Sequence, residues 1–279
     1  MSAHRPRRAR PSSRTLRIAA LAAIIATADL LPLALILKQA VTPEQESFAW
    51  PPTWMPQTLT FENFGVLMQG PELAMGLALS VFVAVATVMA TLLLVLPAAY
   101  VSARRPEMER TLDAATVLAR LFPSIALAVP LAGLFVRAGI YNHPAGVGLV
   151  LAHTLTAIPV AFFILRQAFR DVPADVEHAA RLDGASELGL FVRVTLPLVR
   201  PSLGAAAILV FLLSWDEFAF AMLIQVTNRT LPPLLYYFAA FGYPGMASAI
   251  ACIMLAPALA VVFVLEPVMR SGALAGSNR

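Results

Sequence analysis

From residue 73 to residue 103 the chain runs without a single charged side chain. A helix rises 1.5 Å per residue and the hydrocarbon core of a bilayer is about 30 Å thick, so about 20 mainly apolar residues span it. A stretch this long tilts in the bilayer or projects from it. Five further segments qualify: 18–37, which holds Asp29 and Pro32; 112–136, which holds Arg120; 145–165; 202–226, interrupted by Asp216 and Glu217; and 246–265, closed by Glu266 and Pro267. Hydrophobic residues make up 59% of the chain and charged ones 13%, whereas soluble domains carry about 25% charged residues. A water-soluble globule is excluded. The expected fold is all-α, a polytopic membrane protein of six transmembrane helices.

The basic flank of segment 18–37 suits a signal peptide. Its apolar stretch exceeds a typical signal core, and no small-x-small cleavage site precedes the polar stretch, so it reads as a retained span. The net charge of +4 conceals a directional pattern. With the N-terminus inside, sixteen arginines fall on the inner side (tail 1–17, the turn after the second span, 166–201, and tail 269–279). Lys38, Arg137 and Arg229 fall outside. Lys and Arg accumulate in cytoplasmic loops, so both termini are expected in the cytoplasm. Tail 1–17 then reads as a topology signal near anionic headgroups rather than a nucleic-acid arm.

Two outer stretches stand out. Segment 38–72 carries Trp50, Trp54, three prolines between them and just beyond, and four glutamates, which suits an ordered cap with interfacial tryptophans. Segment 227–245 gathers Tyr236, Tyr237, Phe238, Phe241 and Tyr243. Such rings anchor at an interface, stack on a sugar or contact an external partner.

Several chemistries are absent from the sequence. One cysteine, Cys252, allows no intramolecular disulfide and no Cys-based metal site. The sole lysine, Lys38, stands in no GxxxxGK[ST] loop, so any ATP used is hydrolysed by another chain. No HExxH or GxSxG pattern occurs. His153 and His178 lack His, Cys or acidic partners at metal-ligand spacing and read as hydrogen-bonded packing residues. Pro97, Pro123, Pro130, Pro159 and Pro257 are expected to kink spans.

The inner loop 166–201 is the most informative stretch. Pro173 can open a helix whose first turn holds Asp175 and Glu177. Gly184 suits a helix stop, and Ser186 can cap a second helix with Leu188, Phe191, Val192 and Thr195 on one face, ended by Pro197. Within it, Ala179-Ala180 is followed by three residues, Gly184, nine residues and Val194-Thr195-Leu196-Pro197. Glu177 through Ala185 reads E-x-A-A-x-x-D-G-A, with His178 where the motif usually holds glutamate.

This spacing resembles the EAA loop of permease subunits in binding-protein-dependent ABC importers. The resemblance runs from about residue 73 to the C-terminus. The 207–218 stretch ending in Ser214-Trp215-Asp216-Glu217-Phe218, Arg229-Thr230-Leu231-Pro232, and Gly272 to Gly276 are similar to the smaller maltose-type permease subunit of carbohydrate importers. It implies a type I importer permease fold in a bacterial or archaeal cytoplasmic membrane. The implied partners are a second, homologous permease, two ATPase subunits that carry ATP and Mg, and an extracytoplasmic substrate-binding protein. No cofactor is implied on this chain.

The resemblance further implies that Glu177, His178, Ala179, Ala180, Asp183, Gly184, Ala185, Leu196 and Pro197 form the ATPase-coupling element. Its first helix would dock in a cleft of the ATPase, and ATP-driven closure would move the spans. Ionisable groups inside spans are costly and face a cavity or a partner. Straight-helix geometry puts Arg120 roughly 12 Å and Asp29 roughly 17 Å from the inner side. Arg120, Trp215, Asp216, Glu217 and Asp29 are therefore candidates for the substrate path, or for structural pairs such as Arg120 with Asp29 or Asp216. The cargo is expected to be a sugar or oligosaccharide. Glycerol phosphate, an amino sugar or a polyamine in the same family is an alternative, as is an ATP-independent secondary transporter.

Overall fold

A computed structural model describes residues 13–118 and 121–276, and among them only helices, turns and loops occur. Helix α1 is Ser13–Ala40; α2, Glu44–Ser47, and α3, Glu62–Gln69, lie in the outer segment. Helix α4, Pro71–Arg104, starts with proline at its first turn and ends on Arg104, matching cationic charge to the negative C-terminal end. Helices α5, Pro106–Leu118, and α6, Ser124–Arg137, precede α7, Val147–Arg170.

Helix α4 is buried along one stripe, through Leu73, Gly76, Ser80, Ala84, Thr87, Thr91, Val95 and Ala99. Steps of three and four keep these positions on one face. The residues are mostly small, so α7 approaches closely and makes the largest helix contact of the fold. Gly146, at φ +64°, opens α7; a Cβ there would stand 2.8 Å from Val83 Cγ2. The opposite face of α4, with Phe82, Met89 and Leu93, is exposed, as suits contact with acyl chains or another helix.

The inner loop forms α8, Ala174–Leu182, and α9, Glu187–Leu198, which contains a π turn over Leu190–Thr195. Helix α10, Arg200–Trp215, departs from α9 at 77°. Three helices complete the chain: α11, Ala219–Ile224; α12, Leu231–Ala240; and α13, Pro244–Gly276. Helix α13 packs against both α1 and α12.

The apolar runs do not all become long straight helices. By length and composition, Arg17–Ala40, α4 and α7 can cross a bilayer, and the bent pair α9–α10 makes a fourth if it is one span; α6 and α12 are shorter apolar helices, and the run 246–265 lies within the continuous helix α13. The expected span 112–136 is split. Its first part belongs to the polar helix α5, whose Asp113 pairs with Arg166 of α7. Pro123 then serves as N-cap of α6, because proline disfavours helical backbone at the residue before it. Pro97, Pro130, Pro159 and Pro257 instead lie within continuous helices.

Candidate functional site

Pro173 caps α8, and the first turn carries Asp175 and Glu177. Asp183 ends the helix and Gly184 turns the chain back at φ +83°, with nothing within 4 Å of where a Cβ would stand. Glycine is favoured here by backbone conformation alone. Ser186 Oγ accepts the Gly189 N–H at 3.2 Å and starts α9. The two short helices and the glycine bend follow the sequence pattern.

The apolar pattern of α9 does not follow it. Leu190 and Thr195 are buried and Phe191 packs on Tyr100 and Phe169, whereas Leu188 and Val192 are exposed. Leu188, Phe191, Val192 and Thr195 therefore do not share one face. The cause is the π turn, in which Leu196 N–H bonds to Phe191 C=O and the register shifts. Pro197 does not end the helix, which continues to Leu198 and bends at Val199.

Glu177 points into the chain. Its side chain is 3% exposed and receives Arg104 Nε at 3.0 Å on both oxygens and Arg104 Nη2 at 2.6 Å on Oε1. Thr195 Oγ1 donates to Oε1 at 3.3 Å, and Arg104 Nη2 also reaches the Val172 carbonyl at 3.4 Å. One carboxylate thus joins α4, α8 and α9. His178, the next residue around α8, is exposed, and does not pack as the sequence reading expected.

Among the other coupling candidates, Ala180, Asp183, Gly184 and Ala185 line one open groove of about 650 Å3 with Leu188 and Val192. Ala179 is exposed beside it, while Leu196 and Pro197 are half-buried and do not line it. Leu182, in the last turn of α8, and Leu188 are 89% and 73% exposed. Arg181 Nε donates to Glu187 Oε1 at 3.0 Å and clamps the hairpin. That bond holds the Glu187 carboxyl below the usual carboxylate range and raises Arg181.

The substrate-path candidates separate. Trp215 is buried, stacks on Phe211 at 5.7 Å and donates Nε1–H to the Met254 carbonyl at 3.0 Å, tying α10 to α13. It lines, with exposed Asp216, an apolar groove of about 600 Å3 between these helices. Glu217 turns toward the backbone of α11, and Asp29 is exposed on α1 without lining that groove. Arg120 lies outside the described residues. Among the described residues, no group of three or more His, Cys, Asp and Glu side chains can hold a metal.

In the outer segment, Glu46 accepts the Gln57 and Thr58 N–H groups at 2.8 and 3.5 Å and the Thr53 hydroxyl at 3.1 Å. Lys38 Nζ donates to that hydroxyl at 3.3 Å. These bonds hold the Glu46 carboxyl below its ordinary range, the Gln57 N–H contributing most. Trp50 and Trp54 project from this ordered loop at 88% and 77% exposure. In the second outer stretch, Arg229 lies 4.5 Å over the Tyr237 ring.

Known proteins share this architecture. Residues 95–269 match the family described as "Binding-protein-dependent transport system inner membrane component". The sulfoquinovosyl glycerol transport system permease protein SmoH of Agrobacterium fabrum is 31% identical over 95% of this chain and 94% of its own. The trehalose transport system permease protein SugB of Mycobacterium tuberculosis is 33% identical over 63% of this chain and 64% of its own. A crystal structure of a bacterial ABC transporter involved in import of the acidic polysaccharide alginate superposes with a TM-score of 0.70, at 20% identity, over 94% of this chain and 99% of that one. The match over more than half of its length shows that this chain belongs to the binding-protein-dependent family and is an inner-membrane permease of an ABC importer.

Proposed function

We propose that this permease forms half of a translocation path for a sugar or oligosaccharide and is driven by ATPase subunits that dock on the α8–α9 hairpin. The observation that carries the reading is the hairpin itself. Its open groove gathers Ala180, Asp183, Gly184 and Ala185 with exposed Leu188, and Leu182 of α8 is exposed as well. Apolar groups left exposed around a polar concavity suit a partner protein. Glu177 contributes from beneath by fixing α8 to α4. The saccharide cargo is supported by the sulfoquinovosyl glycerol and trehalose for which SmoH and SugB are named.

In this reading the chain hydrolyses nothing; ATP and Mg are used on two ATPase copies, a second homologous permease completes the path, and a binding protein delivers the cargo. Both termini are cytoplasmic. Membership of a binding-protein-dependent family supports this over an ATP-independent carrier.

The test is co-expression with the candidate ATPase, second permease and binding protein, followed by uptake into proteoliposomes of the sugar identified on the purified binding protein. Uptake should require ATP and fall in Asp183→Ala with complex assembly retained. Uptake without ATPase subunits, or undiminished in Asp183→Ala, would overturn the coupling role. A polyamine or a glycerol phosphate on the binding protein would redirect the cargo.

A further inference from the structure

The break between α10 and α11 holds an acid that the coupling element does not use. Glu217 accepts the N–H groups of Ala219, Phe220 and Ala221 at 3.1, 2.9 and 3.3 Å. These are amides that a helix start leaves without intrahelical partners, so the carboxylate caps its own helix. Within a spanning segment an acid also needs a partner side chain. His153 of α7, 2% exposed, stands beside it with Nε2 at 3.4 Å from Oε2. That nitrogen has no hydrogen-bond partner among the described residues.

The other face of the ring is engaged more tightly. His153 Nδ1 is 2.7 Å from Ser214 Oγ at the end of α10, and Ser214 Oγ is 3.5 Å from Thr87 Oγ1 on α4. In a neutral imidazole one nitrogen donates and the other accepts. If Nδ1 donated, the lone pair of Nε2 would face the carboxylate and stay buried without a donor, which is costly. With Ser214 donating to Nδ1, the Nε2–H side of the ring faces Glu217 at 3.4 Å, an ionic contact rather than a hydrogen bond. The ring thus lies between Ser214 at the end of α10 and Glu217 at the start of α11, with Thr87 of α4 in contact with Ser214.

We propose that His153 is a positioning residue of the transport cycle: by bridging Ser214 and Glu217 it joins the two halves of the broken fifth span and holds the break against α4 and α7. This rests on the permease reading. Neither the family match nor the coupling motif assigns His153 a role. Glutamine can reproduce the pattern, with its carbonyl accepting from Ser214 and its amide donating to Glu217. Leucine fills much of the volume and offers neither.

The experiment is backbone hydrogen–deuterium exchange across residues 216–224 in the assembled transporter with its binding protein, in lipid nanodiscs, without nucleotide and with ATP plus EDTA. His153→Leu and Ser214→Ala should each speed exchange there by about fivefold or more, the scale of one lost buried contact, and leave 73–103 unchanged. His153→Gln should stay within about twofold of wild type. ATP should change protection over 216–224 in wild type and in His153→Gln, and not in His153→Leu.

Wild-type exchange in His153→Leu overturns the proposal, as does a glutamine variant as fast as the leucine one. Identical wild-type protection in the two nucleotide states overturns the role in the cycle. If His153→Leu does not assemble, Ser214→Ala decides: unchanged exchange sinks the bridge. ATP-dependent uptake by the wild-type complex tests the permease reading separately, since its loss with an intact exchange pattern leaves the bridge standing.

Discussion

Arg104 and Glu177, 73 positions apart, form a three-contact ion pair with a shortest distance of 2.6 Å, and the carboxylate is 3% exposed. The pair bolts the C-terminal end of α4 to the first turn of α8. In the proposed docking mode, displacement of α8 by an ATPase would pass to α4 through this charged, bidentate contact, which resists shear better than apolar packing does. The same carboxylate takes the Thr195 hydroxyl, so α9 moves with them.

Removing one member of this pair leaves the other uncompensated in a half-buried site. Arg104→Ala should cost roughly 3 kcal/mol, the lower end for a broken buried pair, seen as a lower thermal midpoint of the detergent-solubilised chain. The double variant Arg104→Ala with Glu177→Ala should be less destabilised than the sum of the singles. Additive losses would show that the pair carries no coupling energy.

Gly184 sits at φ +83° with open space around it, so a side chain there strains backbone without a clash. The left-handed region costs an L-residue about 1–2 kcal/mol. Gly184→Ala should reach the membrane in wild-type amounts and lose ATP-driven uptake by about fivefold or more, as the strain re-aims the hairpin. Gly184→Asn, better tolerated in this region, should retain more. Radiolabel uptake normalised to immunoblotted protein measures both.

Gly245 is close-packed against Asn63. A Cβ there would stand 2.5 Å from Asn63 Oδ1, and Asn63 Nδ2 donates to the Ala40 and Thr42 carbonyls at 2.9 and 3.0 Å. Gly245→Ala should displace Asn63 and destabilise by about 1–3 kcal/mol. Because Asn63→Ala removes the same bonds, the double variant should melt near the worse single one. Independent shifts in midpoint would refute the shared mechanism.

The outer loop carries a pH signature through Glu46. Its folded-state acidity is increased by the Gln57 N–H above all. A carboxyl depressed on folding adds stability above its unfolded value and loses it as pH falls through the lowered folded value. Amide exchange across 40–60 should therefore be constant from neutral pH down to the ordinary glutamate range, after correction for intrinsic rates. Loosening should set in as pH falls through that range and continue down to the lowered folded value. Glu46→Gln should abolish this dependence; a loop that loosens at mildly acidic pH would contradict it.

Much of the coupling element was legible because its signals are local. Pro173, Gly184 and Ser186 act within a few bonds of where they stand, and the structure uses the glycine as a turn and the serine as a cap. The inward turn of Glu177 was not legible, since its partner Arg104 lies on another helix. His153 was read as a hydrogen-bonded packing residue, and Ser214 does bond it; the alignment of Thr87, Ser214 and Glu217 around it had no sequence signal. The run expected as one span at 112–136 is divided between α5 and α6, because hydropathy averages over Pro123, whereas backbone geometry does not.

By itself the sequence determined that the chain is a helical membrane protein, where its apolar runs lie, and that one inner loop has the coupling pattern. Those follow from composition, from a 1.5 Å rise and from residues with strong local preferences. Only the tertiary structure decided which helices stay whole, which face of α9 is buried and which charges meet. Ion pairs such as Arg104–Glu177, and contacts such as His153–Glu217, depend on the distances between helices, and packing of small residues along α4 and α7 sets those.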